Sequence, residues 1–450
     1  MSELCVRPAT SSLPSQGGLL RASCRYSYRT SVSQQANRAC RDTWDEGESV
    51  NTQRIVIVGA GFAGMWSALA AARALDMQKR SDIEVVLVAP QPELHVRPRL
   101  YEEAPNTMRV KLTELLDAVG VRFMQGSVEK IDVQQQQVVV KAQGQDAQLS
   151  YDRLVLAAGS KLFRPDIPGL TRYAFSVDQV DEAAALEAHI QSLRSQPDTE
   201  ARRTLVVVGG GFTGIETAAE MPARLRAALG ESAAVNVVIV ERNSDIGPDL
   251  GPGPRPVIEQ ALAELGVTAV LGAGVTAIDE HGLVTSAGQR IDASTVVWTA
   301  GARANELTLQ IPGERDAYGR LHVDHDLRVK AVPTIYATGD VAYAATDDQG
   351  HVAMMSCQHA MNLGRSAGHN VAADLLGLAP IPYSQPKYVT CLDLGPWGAV
   401  YTEGWERSVK LVGAEAKALK QKINTEWIYP PSANRAEALE SADPLRIVVA

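Results

Sequence analysis

Two stretches of this chain space their glycines so that the backbone can wrap a pyrophosphate. Gly59-x-Gly61-x-x-Gly64 lies in RIVIVGAGFAG, and Gly209-x-Gly211-x-x-Gly214 lies in TLVVVGGGFTG. In such a turn the first glycine makes the bend, the second admits the anion close to the backbone, and the third lets the following helix pack against the strand. The helix then offers free N–H groups and the positive end of its dipole. One such motif is weak evidence, because glycines between a strand and a helix also serve plain backbone geometry. Two of them, each after an apolar run and before a helical pattern, predict two dinucleotide sites.

The residues that follow differ between the copies. The strand after the second turn ends in Val240-Glu241-Arg242, where a carboxylate can accept both ribose hydroxyls of NADH and repel a 2′-phosphate. That favours NADH, with Arg242 leaving NADPH open. The strand after the first turn ends in Val88-Ala89-Pro90, with no acid.

The elements around these turns follow a strand–helix–strand grammar. Ile55 to Val58 reads as a buried parallel strand. Met65, Ala68, Leu69, Ala72 and Leu75 share one helical face, and Ile83 to Val88 completes the unit. In the second copy Leu205 to Val208, a helix from Ile215 to about Leu229, and Val235 to Val240 repeat the pattern, and Pro222 should kink or shorten that helix. A helix is expected from about Met354 to Leu376. A short antiparallel meander should span Tyr388 to Val412, and a polar helix should follow near Glu415 to Asn424.

Composition narrows the function. Acidic residues outnumber basic ones, 52 to 43, which argues against nucleic acid as a partner. No run approaches the roughly 18 to 20 apolar residues of a membrane-spanning helix. The cysteines at 5, 24, 40, 357 and 391 form no paired framework or metal motif, which suits a reducing, cytoplasmic setting. Residues 1 to 50 hold six arginines and many serines. Their composition is that of an organellar transit peptide, but Pro, Gly and Gln interrupt any amphipathic helix, so they read as a disordered extension or an upstream start-site choice, with organellar import left open.

Several stretches together resemble the two-dinucleotide flavoprotein oxidoreductases, and most closely the type II NADH dehydrogenases, over about residues 54 to 376. They are the two glycine turns, Leu94-His-Val-Arg-Pro-Arg-Leu-Tyr-Glu102, Gly209 to Glu216, Thr338-Gly339-Asp340, and Ser356-Cys357-Gln358-His359-Ala360. Leu156-Ala-Ala-Gly159 and Trp298-Thr-Ala-Gly301 resemble the family's crossover turns between domains. The resemblance implies an α/β fold of two Rossmann-like domains, the second inserted in the first, with a small C-terminal α+β region. It divides the chain into an extension (1–52), an FAD domain in two parts (53–170 and 301–380), an NAD(P)H domain (171–300) and a C-terminal region (381–450).

It also implies FAD on the first turn, NADH on the second, and a quinone or similar small acceptor. Gly59, Gly61, Gly64, Arg97, Gly159, Gly339 and Asp340 would then serve FAD, and Gly209, Gly211, Gly214, Glu241 and Gly301 the nicotinamide nucleotide. Glu216 would orient nicotinamide or buffer a proton, and Gln358 would bond the acceptor carbonyl. Without the resemblance Glu216 is a first-turn acid complementing a helix dipole and Gln358 a helix-surface amide.

The chain departs from the family in two places. Ala89 stands where an acid usually bonds the adenosine ribose of FAD, leaving that task to fewer bonds or to a neighbour such as Glu93. Gly413 to Lys422 has no broad apolar face, so contact with a membrane surface is not expected, and Lys417, Lys420 and Lys422 read as a solvated face. Two other readings stay open: a reductase of a ferredoxin or rubredoxin, and an NADH-sensing flavoprotein acting through partner or oligomer changes, a homodimer included. Sulfide oxidation would need two cysteines at the flavin, for which Cys357 and Cys391 are the candidates.

Overall fold

The strand Gln53–Val58 sits at the centre of a five-stranded parallel sheet, between Ile83–Ala89 and Arg153–Leu156. Arg122–Gln125 extends the sheet beyond Ile83–Ala89, and Ile335–Ala337 extends it beyond Arg153–Leu156. Ile55, Val56, Ile57, Val86, Leu87, Val155 and Leu156 are buried, as parallel strands covered on both faces require. The computed structural model describes residues 52–142 and 144–446. The expected N-terminal extension lies, but for Thr52, outside the described residues.

A second five-stranded parallel sheet runs in the order Ala174–Phe175, Thr295–Trp298, Thr204–Val208, Asn236–Val240 and Val267–Val270. All its strands fall between the fourth and last strands of the first sheet in sequence. One nucleotide-binding fold is thus inserted in the other, and the α/β architecture is the expected one.

Each glycine turn leads into a helix, Phe62–Met77 in the first fold and Phe212–Leu229 in the second. The second helix runs through Pro222 without a break, against the expectation of a shortened first segment. Its Ala219 carbonyl lies in the turn that proline disturbs, and Gly395 covers it so closely that a Cβ there would come within 2.4 Å. Tertiary packing outweighs the local helix-breaking tendency.

The long helix Cys357–Leu376 lies along Phe62–Met77. Gly364 and Gly368 make the close approach: a Cβ at either would meet the Ala63 or Ser67 carbonyl at 2.5 or 2.1 Å. The helix starts three residues later than the sequence suggests, at Cys357, because the Ser356 hydroxyl caps it by accepting the His359 N–H.

The C-terminal region is an antiparallel sheet of Val389–Asp393, Ala399–Glu403 and Ser408–Val412, followed by the helix Gly413–Lys422 and a π-turn over Ile423–Trp427. Among the described residues no helix is long and apolar enough to cross a membrane.

Candidate functional site

The two glycine turns have one geometry. Gly59 and Gly209 take φ of +109° and +112°, which favours glycine, and donate to the carbonyls of Val88 and Val240 on the neighbouring strands. A Cβ on Gly64 or Gly214 would lie 1.8 Å from the carbonyl of Gly59 or Gly209, so only glycine lets each helix begin that close. At Gly61 and Gly211 an added Cβ would meet nothing within 4 Å, so the space in front of both helix N-termini is open. A dinucleotide pyrophosphate fits such a cradle.

Around the first turn the structure gathers four of the sequence-predicted residues. The Ser160 hydroxyl donates to Asp340 Oδ2 at 2.6 Å, next to Gly159 and Gly339. Arg97 donates to Asp178 Oδ1 (2.5 Å) and to the Ser160 carbonyl (3.2 Å), with Asp340 3.9 Å away. Gly339, at φ +66°, brings its loop so near the first helix that a Cβ would sit 2.7 Å from the Ala63 methyl. Gly301 lies at the other crossover, also in the left-handed region (φ +83°), where its carbonyl accepts the Phe163 N–H.

In the second fold Glu241 is buried at the carboxyl end of its strand. It accepts from the Gly210 N–H (2.6 Å) and from the Asn243 backbone (2.8 Å) and side chain (2.5 Å). These bonds fix the carboxylate against the glycine turn, where the adenosine ribose of a nucleotide on that turn lies. Gly210 is required there, since a Cβ would press on Glu241 Cβ at 3.1 Å and Ile246 Cδ1 at 2.8 Å.

Glu216, in the first turns of the helix Phe212–Leu229, is 4% exposed and faces the C-terminal region. Its Oε1 accepts from Lys420 Nζ at 2.8 Å and from the Asp393 N–H at 3.0 Å. Lys420 also donates to the Cys391 carbonyl. Asp393 in turn takes Lys417 Nζ at 2.5 Å and the Tyr101 hydroxyl at 3.1 Å. Burial raises the Glu216 carboxyl, Lys420 pulls it back and Asp393 pushes it up again, leaving it at about 7. Burial works against the Lys420 charge too, but Glu216 more than compensates, so Lys420 holds its proton more tightly than a free lysine.

This corrects the reading of Lys417 and Lys420 as part of a solvated face, while Lys422 is exposed as expected. Lys420 is 5% exposed and Lys417 is half-buried in the same network. The missed signal was positional: Ala416, Lys420 and Ile423 fall on one helical stripe and all three are buried, so a lysine stood where an apolar residue was expected. Asp393 and Tyr101 carried no signal, being distant in sequence and unremarkable in type.

Gln358 lies in the first turn of Cys357–Leu376, within 3.5 Å of Gln385 Nε2. Gly339 packs on this first turn, where a Cβ would lie 3.7 Å from the Ala360 methyl, and the charges of Lys420, Asp340 and Glu216 bear on the adjacent Cys357. Burial pushes the thiols of Cys357 and Cys391 up, to about 11 and about 12, so both stay protonated and unreactive near neutral pH. His359 is fully buried against Tyr388 (ring centroids 5.1 Å), and burial with the nearby Arg407 and Arg320 lowers it to about 3. It is neutral and structural.

Comparison with known proteins agrees with this geometry. The pyridine nucleotide-disulphide oxidoreductase profile matches residues 53–364, and the chain belongs to that family. FAD and NADH are the cofactors this membership brings. The chain is 46% identical over 396 residues to an NADH dehydrogenase-like protein of Mycobacterium tuberculosis, covering 87% of this chain and 98% of that one. It is 30% identical to a demethylphylloquinone reductase of Synechocystis, covering 82% of this chain and 91% of the relative. Among solved structures, NDH2 from Plasmodium falciparum superposes with a TM-score of 0.70 at 14% identity, covering 87% and 97% of the two chains. A sulfide:quinone oxidoreductase from Aquifex aeolicus gives 0.70 at 16%, covering 86% and 92%. Both show a shared fold. The protein is an oxidoreductase of the pyridine nucleotide-disulphide family, similar over most of its length to NADH dehydrogenase-like proteins.

Proposed function

We propose that this protein oxidises NADH and delivers the electrons, through FAD, to a quinone. The observation that carries the reading is the buried Glu216, bonded to Lys420 and the Asp393 N–H, a carboxyl raised to about 7 whose charge bears on Cys357 at the start of Cys357–Leu376. Reducing a quinone to a quinol consumes two protons as well as two electrons, and a group that holds or gives a proton near neutral pH suits that demand. A one-electron carrier protein makes no such demand.

FAD held on the first glycine turn would supply the redox chemistry, hydride acceptance from NADH and two-electron donation to the acceptor. The chain supplies position and field. Gly59, Gly61 and Gly64 would cradle the FAD pyrophosphate, with Gly159, Gly339, Asp340 and Arg97 holding its middle. Gly209, Gly211 and Gly214 would cradle that of NADH, with Gly301 at the crossover beside it. Glu241 would take the NADH ribose hydroxyls and disfavour a 2′-phosphate. The dipole of Cys357–Leu376 stabilises negative charge at its N-terminus, and Gln358 is set to donate to an acceptor carbonyl there. With Oε1 accepting from Lys420 and the Asp393 N–H, the Glu216 carboxyl would carry its proton on Oε2 and pass it toward that carbonyl. The boundaries of the FAD, NADH and C-terminal regions are proposed as read from the sequence.

The test is steady-state NADH oxidation with a water-soluble naphthoquinone against a ferredoxin as acceptor, on the parent and on Gln358→Ala. Turnover with the quinone, and a higher quinone KM in Gln358→Ala at unchanged NADH KM, supports the assignment. Turnover only with the ferredoxin overturns it.

A further inference from the structure

The two halves of the chain solve one problem differently at the carboxyl ends of their second strands. In the second fold Glu241 closes the strand, and Asn243, two residues on, is bonded to it. In the first fold Ala89 closes the strand and Gln91 stands two residues on. Both positions carry an amide, but only one has an acid to serve.

Gln91 is held by another residue. Gln125 ends the neighbouring strand in direct register with Ala89. Its Nε2 donates to the Pro90 carbonyl at 3.0 Å and to Gln91 Oε1 at 3.2 Å. The Gln91 Nε2 donates to none of the described residues. The other neighbour, Glu93, faces Arg109 (3.6 Å) and His95 (3.7 Å).

We propose that Gln91, oriented by Gln125, receives the adenosine ribose of FAD in place of the missing acid. A nucleotide on Gly59–Gly64 brings its ribose to the carboxyl end of the strand Ile83–Ala89, which is where this amide pair stands. Gln91 can donate through Nε2 and still accept through Oε1, so it fits a vicinal diol. Being neutral, it holds the diol by ordinary hydrogen bonds rather than the stronger bonds a carboxylate makes. Gln125 is the positioning residue.

The proposal rests on the assignment of FAD to the first glycine turn, and one experiment separates the two. Flavin is stripped from the parent, Gln91→Ala, Gln91→Glu, Gln125→Ala and a control, Gln145→Ala, and FAD is titrated back by flavin fluorescence. A FAD analogue lacking the 2′- and 3′-hydroxyls of the adenosine ribose is titrated in parallel. Gln91→Ala should weaken FAD about three- to tenfold, Gln125→Ala by less, and Gln145→Ala not at all. Gln91→Glu should bind FAD at least as tightly as the parent. The analogue should bind the parent and Gln91→Ala equally. If Gln91→Ala binds FAD as the parent does, or loses FAD and the analogue alike, the ribose contact is refuted while the FAD assignment stands. A parent that takes up no FAD refutes both.

Discussion

Lys420 Nζ and Glu216 Oε1 are 2.8 Å apart in the protein interior, although 204 residues separate them. The contact joins the helix Gly413–Lys422 to the first turns of Phe212–Leu229 and sets the charge of a buried carboxyl raised to about 7. Both side chains are nearly fully enclosed, so neither charge has water to fall back on.

Removing one partner should therefore cost far more than a surface ion pair would. Lys420→Met leaves a buried carboxylate uncompensated and is expected to destabilise the fold by about 3 kcal/mol or more. Adding Glu216→Gln should recover part of that loss. Urea denaturation of the two variants and the parent, analysed as a double-mutant cycle, measures the coupling.

The raised Glu216 carboxyl also predicts two pH effects. Its folded-state value of about 7 stands above its ordinary 4.5, so the fold binds this proton more tightly than the unfolded chain. The group's contribution to stability is greatest below 4.5 and declines as pH rises to about 7. Reoxidation by quinone should slow as pH passes about 7 and the proton is lost, with reduction by NADH much less affected. Rapid mixing across pH 5.5 to 8.5 checks this, and Glu216→Gln should flatten the reoxidation profile.

The glycine turns should be separable. Gly214→Ala places a methyl 1.8 Å from the Gly209 carbonyl, which should abolish NADH reduction while the purified protein keeps its flavin absorbance. Gly64→Ala makes the same clash with Gly59 and should yield protein without flavin. Absorbance spectra before and after NADH distinguish the two.

Glu241 should govern the choice of nucleotide. Glu241→Ala removes the carboxylate that Gly210 and Asn243 hold in place, so NADH should weaken by about 10- to 100-fold while NADPH changes little. The ratio of kcat/KM for the two nucleotides reads this out.

The nucleotide-binding halves were legible in the sequence because their determinants are local: glycine spacing, buried β-branched runs and a strand-end acid each lie within a few residues. Arg97 and Asp340 could be placed only through resemblance, since nothing in their spacing brings them together, and Ser160, which bonds Asp340, carried no signal. The Glu216 network was not legible. Its members come from four distant segments, and Lys417 and Lys420 are of a type that usually faces water. The late start at Cys357 follows from the Ser356 cap, and the run through Pro222 follows from tertiary packing, the proline being buried with Ala218, Ala219 and Met221.

The most direct test of the account is an anaerobic absorbance experiment. NADH is added to the purified protein in stoichiometric amount, and then a soluble naphthoquinone. The flavin bands should bleach with NADH and return with the quinone as one equivalent of quinol forms. Bands that do not bleach, or that bleach and stay bleached in the presence of the quinone, would contradict it.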